Sequence, residues 1–338
     1  LLYGFLMVFF ASYGQTFFIS LFNTEIRFYY GLSDGEFGFI YAISTLFSSF
    51  ILISFAKLID HLDLRVYSLI VTVGLLLACI GMVVMLNNIF YLFLIIFMLR
   101  FFGQGAMTHA GETTMARYFG NNRGKALSVA TLGGMAGVMF LPYISLNYFK
   151  DIEMKQLWIY ASISIVVFTP FIFIALAGQT ARHDKFDQAL INDPLNLKLR
   201  TRDIFKDKKF YIYLPLSMTA PFISTGLMFH QIYIFDKKNW SLEMLGNGYI
   251  LLGFFSIIGL MIGGPLIDKF HTKKTAITVL VPLLLSVIIL LLFDSVFFLI
   301  IYMSLYGFNM GVSVPFIGSL WAEIYGVKSL GTVKALLH

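Results

Sequence analysis

Along this chain the apolar residues come in long runs and the polar ones in short clusters between them. Ten runs can be marked, at roughly 1–22, 35–57, 66–86, 89–116, 124–147, 156–178, 210–235, 244–267, 274–293 and 295–322, with an eleventh starting near Ser329. Each is near or above the ~20 residues that a helix needs to cross a ~30 Å hydrocarbon layer. The runs at 89–116 and 295–322 exceed one upright crossing, so they tilt or extend beyond the lipid. The pattern predicts an all-α membrane protein, because lipid leaves a helix no option but to satisfy its own backbone.

Composition agrees. The chain is 59% hydrophobic and only 12% charged, with a mean hydropathy of +0.83. A water-soluble domain carries about 25% charged residues, so half the usual supply could not cover a surface of this size. The net charge of +6 would suit a nucleic-acid partner, but the basic residues are spread among loops rather than gathered in a patch, and no such partner is expected. The single Cys79 excludes an internal disulfide, and the six His show no zinc-ligand spacing, so no metal or other cofactor is expected. GNNRGK at 120–125 is one residue short of a phosphate loop, with Ala126 where Ser or Thr belongs. The spans hold no nucleophile or metal set, so the chain does not read as an enzyme.

Orientation follows from Lys and Arg. With the N-terminus cytoplasmic, the inside loops hold 17 of these residues and the outside loops 5. The longest polar stretch, 179–209, reads as a cytoplasmic linker between an N-terminal bundle over 1–178 and a C-terminal part over 210–338. AKLIDHLDLR at 56–65 and GPLIDKFHTKK at 264–274 both carry Leu-Ile-Asp in a polar hairpin, with Asp60 and Asp268 separated by 208 residues. The same offset aligns Ser33 with Ser241, Gly38 with Gly246 and Arg65 with Lys273; an offset of 206 aligns Gly105 with Gly311 and Gly120 with Gly326. The six-span unit therefore occurs twice in parallel, a plan known among transporters.

These motifs resemble the major facilitator superfamily. Leu58, Asp60 and Arg65 match that family's loop between spans two and three, with Ala56 and Asp63 in place of its two glycines. The second copy keeps Gly264, Leu266, Asp268, Lys269 and Lys273. In RYFGNNRGKALS, Arg117, Phe119, Arg123 and Gly124 look like the family's R-x-F-x-x-x-R-G, and WAEIYGVKSLG, with Glu323, resembles its counterpart after span ten. The resemblance implies two parallel six-helix bundles, here truncated after the start of helix 11, and transport by alternating access. It also implies that the hairpin carboxylates act as a gate, Asp60 near the start of span eleven and Asp268 near the start of span five, each capping a helix. Arg65, Arg117, Arg123, Lys273 and Glu323 belong with that gate. The RYFGNNRGKA region is similar to the monocarboxylate and oxalate/formate branches.

Arg100 lies 12 residues after Asn88, about 18 Å along a helix and so near the membrane centre. An ionised side chain there costs at least about 2.5 kcal/mol, and no Asp or Glu lies at comparable depth in the ten spans. Its counter-charge is then an anionic substrate, a carboxylate in the missing spans, or, with no counter-charge at all, backbone carbonyls that make Arg100 a packing element. Gln104 and Thr108 follow it at steps of four on one face. Further candidates for the substrate site are Gln15 in span one, His230 and Gln231 in span seven, and Tyr306 and Asn309 in span ten. His109 and Glu112 are three apart and can touch, as a proton-coupling pair or as a brace. Pro215 and Pro221 are expected to bend span seven, and GGMAG at 133–137 to permit close packing.

The reading is a secondary active transporter of small organic anions, working with a coupling ion or counter-substrate. It is expected to be a monomer in a bacterial inner membrane. The alternatives are an exporter of uncharged or cationic amphiphiles, or a membrane sensor on the same scaffold.

Overall fold

The computed structural model describes residues 1–119, 122–149, 152–179 and 201–325, and among them every regular element is helical. The chain divides into two compact units, Leu1–Asn192 and Asp193–His338. Most of the 179–209 linker and the start of span eleven lie outside the described residues.

The N-terminal unit holds α1 (Leu2–Gly14 and Thr16–Tyr30, bent by 43°), α2 (Asp34–Asp60), α3 (Leu64–Val84), α4 (Ile89–Tyr118), α5 (Gly124–Asn147) and α6 (Met154–Ala175). The C-terminal unit holds α7 (Lys208–Phe229), α8 (Leu242–Phe270), α9 (Thr278–Leu292) and α10 (Val296–Tyr325). Two boundaries differ from the hydrophobic pattern. The first span runs on to Tyr30, because the polar residues after Phe22 still wind as helix. The seventh stops at Phe229, and Gln231–Lys237 forms a separate short helix.

The polar clusters start helices. Ser33 and Glu36 form a reciprocal capping box at α2, Asp63 accepts from the Arg65 amide at α3, and Asn88 accepts from Phe90 and Tyr91 at α4. Ser241 caps α8 through the Met244 amide, 208 residues after the equivalent Ser33 and Glu36. Between them the helices carry large apolar side chains outward: Phe50 is 77% exposed and Phe222 80%. Contiguous apolar surface of this kind is stable against lipid and not against water.

Helical bonding runs without a break from Leu242 to Leu292, through the expected hairpin at 264–274. A straight rod of 51 residues would be about 77 Å long. Yet Trp240, just before it, donates Nε1 to the carbonyl of Asp294, just after it, at 2.6 Å, and Lys238 Nζ lies 2.6 Å from Asp294 Oδ1. The run therefore folds back on itself, and α8 and α9 are the two legs of a hairpin.

Glycines set the closest helix contacts. A Cβ on Gly133 or Gly137 would strike Phe5 or Ser12 of α1, so the GGMAG stretch packs against α1 backbone to backbone. In the C-terminal unit Gly307 and Gly311 of α10 meet Leu252, Ser256 and Leu260 of α8, and Ser256 Oγ donates to the Gly307 carbonyl at 2.9 Å. Gly311 against Leu260 repeats Gly105 against Leu52 in the N-terminal unit, at the two offsets read from the sequence.

Candidate functional site

The site begins where α1 breaks. Gln15 is extended (φ −83°, ψ 151°), which interrupts helical bonding and leaves the Gly14 carbonyl free to accept from elsewhere. Gly14 can lie there because it lacks a side chain: a Cβ would collide with the Leu99 carbonyl and sit 2.7 Å from Gly103 Cα. Sequence reasoning named Gln15 but not the contact between Gly14 and α4.

Across that contact α4 changes its winding. Leu99–Met107 is a π-helix, with bonds from i to i+5 in place of i to i+4. Arg100 sits in its first turn, 4% exposed. Its Nη1 donates to the Gly14 carbonyl and to Thr16 Oγ1, both at 3.2 Å, and its Nε donates to Thr45 Oγ1 at 3.1 Å. The guanidinium carbon stands 5.2 Å from the Tyr41 ring centroid, and the Tyr41 hydroxyl donates to Thr16 Oγ1 at 2.8 Å. These partners are neutral, and no carboxylate pairs with Arg100 among the described residues. Nη2 has no partner among them either.

Gln104 and Thr108 continue from Arg100 along α4. Gln104 Oε1 and Thr108 Oγ1 are both buried without a hydrogen-bond partner. Buried polar atoms are nearly always paired, so these two orphans on the helix that carries Arg100 are candidates for ligand contacts. Gln15 is half-buried at the break, where its carbonyl accepts from the Phe18 and Ile19 amides.

The other sequence candidates have contacts of their own. His109 contacts Thr113 Oγ1 at 3.4 Å, and Glu112 is half-buried on the same helix. In the C-terminal unit, Gln231 accepts from the Tyr249 hydroxyl, and Tyr306 donates to the Ser224 carbonyl at 3.2 Å. Gln231, Tyr249, Tyr302 and Tyr306 line a small cleft with Met228 and Leu252. Asn309 is fully buried and donates to the Val279 carbonyl at 2.7 Å, tying α10 to α9 rather than opening onto the cleft. His230 is exposed between α7 and the helix that follows.

In the first hairpin Asp60 forms an ion pair with Arg117, whose Nη1 also donates to the Ile59 carbonyl at 3.3 Å. This engages Asp60 inside its own unit. Arg65 is exposed, as is Asp268. In the second hairpin Glu323 accepts from both the amide and the hydroxyl of Thr272. The side chains of Arg123 and Lys273 lie outside the described residues.

A family model described as the Major Facilitator Superfamily matches residues 4–338. No curated protein sequence matches the chain. Among solved structures, a D-xylose-proton symporter gives a TM-score of 0.71 at 16% identity, over 99% of this chain and 86% of that one. The xylose transporter XylE from E. coli, in an inward open conformation, gives 0.72 at 14% identity, over 99% and 85%. A bacterial homolog to the human lysosomal transporter Spinster, inward-facing and unoccupied, gives 0.68 at 14% identity, over 99% and 77%. At these identities the likeness is one of fold.

Proposed function

Because this chain belongs to the major facilitator superfamily, and so is an integral membrane transporter, we propose that it carries small organic anions by secondary active, alternating-access transport. The observation that carries the reading is a buried guanidinium whose ligands are all neutral, with Nη2 left over. Desolvating a cation without a counter-charge is costly, and a bound carboxylate recovers that cost on each cycle. Gln15 at the break contributes an amide, and His109 with Glu112 is the pair suited to proton movement. The Lys and Arg asymmetry supports a cytoplasmic N-terminus, with 179–209 as a tether on that side.

A second reading, transport of uncharged or amphiphilic compounds, is favoured by the tyrosine-lined cleft of the C-terminal unit. Uptake of labelled carboxylates into proteoliposomes separates the two. On the anion reading, Arg100→Ala loses uptake by two orders of magnitude or so, and Arg100→Lys keeps a measurable part of it. Equal uptake by wild type and Arg100→Ala, in protein that elutes as a folded species, removes the anion reading.

A further inference from the structure

We propose that the Arg100 site takes an anion of single negative charge, gripped through Nη2 alone, with Thr45 and Thr16 acting as the specificity-determining residues. The inference rests on the anion reading above and concerns the donor count it leaves. A guanidinium has five N–H donors, one on Nε and two on each terminal nitrogen. A two-oxygen grip on a carboxylate uses one donor from each of two neighbouring nitrogens, either Nε with Nη2 or Nη1 with Nη2. Both forks are spoiled here. Thr45 Oγ1 takes Nε at 3.1 Å, and the Gly14 carbonyl and Thr16 Oγ1 share Nη1 at 3.2 Å each. Only Nη2 remains, and because its two hydrogens diverge it gives any one carboxylate a single-oxygen contact. The second oxygen of a carboxylate is left to a neutral donor, the Thr108 hydroxyl, which lacks a partner.

The charge count points the same way. Ion pairs among the described residues include Arg27 with Asp34, Arg117 with Asp60, and Lys238 with Asp294, all with an exposed acidic partner. Arg100 is the one charged side chain among those described as buried, so within its own unit the site offers one positive charge. A dianion would bring a second negative charge out of water with nothing to meet it.

The test uses matched pairs: malonate, succinate and glutarate, each beside its monomethyl ester, at about pH 7.5 where every free carboxylate is ionised. Binding is followed by ligand-induced thermal shift on the full chain and by proteoliposome uptake. The esters are expected to bind about tenfold or more tightly than the parent diacids. Thr45→Val, close in volume to the original, frees Nε to join Nη2 and is expected to tighten ester binding several-fold, the opposite of what loss of a substrate contact or of packing would do. Diacids that bind as well as their esters overturn the proposal, as does Thr45→Val protein with unchanged or weaker ester binding. Failure of every ester to bind, or ester binding that survives Arg100→Ala, overturns the anion reading itself and this inference with it.

Discussion

Tyr306 sits in the C-terminal unit where Arg100 sits in the N-terminal one. The two are 206 residues apart, and Tyr306 reaches the carbonyl of Ser224, which lies 208 residues after the Thr16 that Arg100 engages. Tyr41 and Tyr249, also 208 apart, each bond a residue of their unit's first helix or of the short helix that follows it, Thr16 in one case and Gln231 in the other. A shared frame thus holds a cation in one copy and a phenol in the other.

The phenol is expected to be structural. Tyr306→Phe removes one neutral hydrogen bond to a backbone carbonyl and should cost about 0.5–1.5 kcal/mol of stability. Chemical unfolding in detergent measures it, and the preference among carboxylates should not move. A change of anion preference would place Tyr306 at the substrate.

Gly14→Ala drives a methyl group into the Leu99 carbonyl, backbone that cannot step aside. The cost should be about 1–3 kcal/mol, with loss of uptake as Arg100 loses its carbonyl. Gly226→Ala in α7, where nothing lies within 4 Å, should be neutral or stabilising by about 0.5–1 kcal/mol. Melting temperatures of the two variants side by side decide it, and equal shifts would contradict the crossing of α1 and α4.

The fold-back of the 242–292 run makes a distance prediction. Lys238→Cys with Asp294→Cys should cross-link efficiently through a short bifunctional maleimide, since the native side chains approach to 2.6 Å. An unbent helix would hold them about 84 Å apart and give no product. Gel mobility after proteolysis within 270–277 reads the result.

The Asp60–Arg117 pair is half in solvent, with Asp60 56% exposed and Arg117 13%. A double-mutant cycle with Asp60→Asn and Arg117→Gln should return a coupling under about 1 kcal/mol, reduced further by salt. A larger, salt-independent coupling would mean the hairpin is sealed from water.

The spans, the duplication and the buried cation were all legible in the sequence, because apolar length, offset matches and a lone Arg in a lipid-soluble run are local signals. The neighbours of Arg100 were not. Thr16, Thr45 and the Gly14 carbonyl come from helices 55 and more residues away, and their convergence depends on a break at Gln15 that no Pro announces. Asn309 shows the converse limit. Its position in a long apolar run invited a role at a cavity and gave no sign of the bond that its Nδ2 makes to the Val279 carbonyl, while its Oδ1 stays buried without a partner. The hairpin at 264–274 was expected from charge, but charge says nothing about backbone bonding, and the bend is made without leaving helix.

The loosely wound stretch from Leu99 to Met107 carries slack. Rewinding it to the ordinary pitch would turn Gln104 and Thr108 about the axis of α4 while the threonines keep Arg100 pinned. On the anion reading, a carrier whose buried guanidinium stays anchored while neutral groups swivel past it has the means to hold its cargo and to let go of it without moving that charge at all.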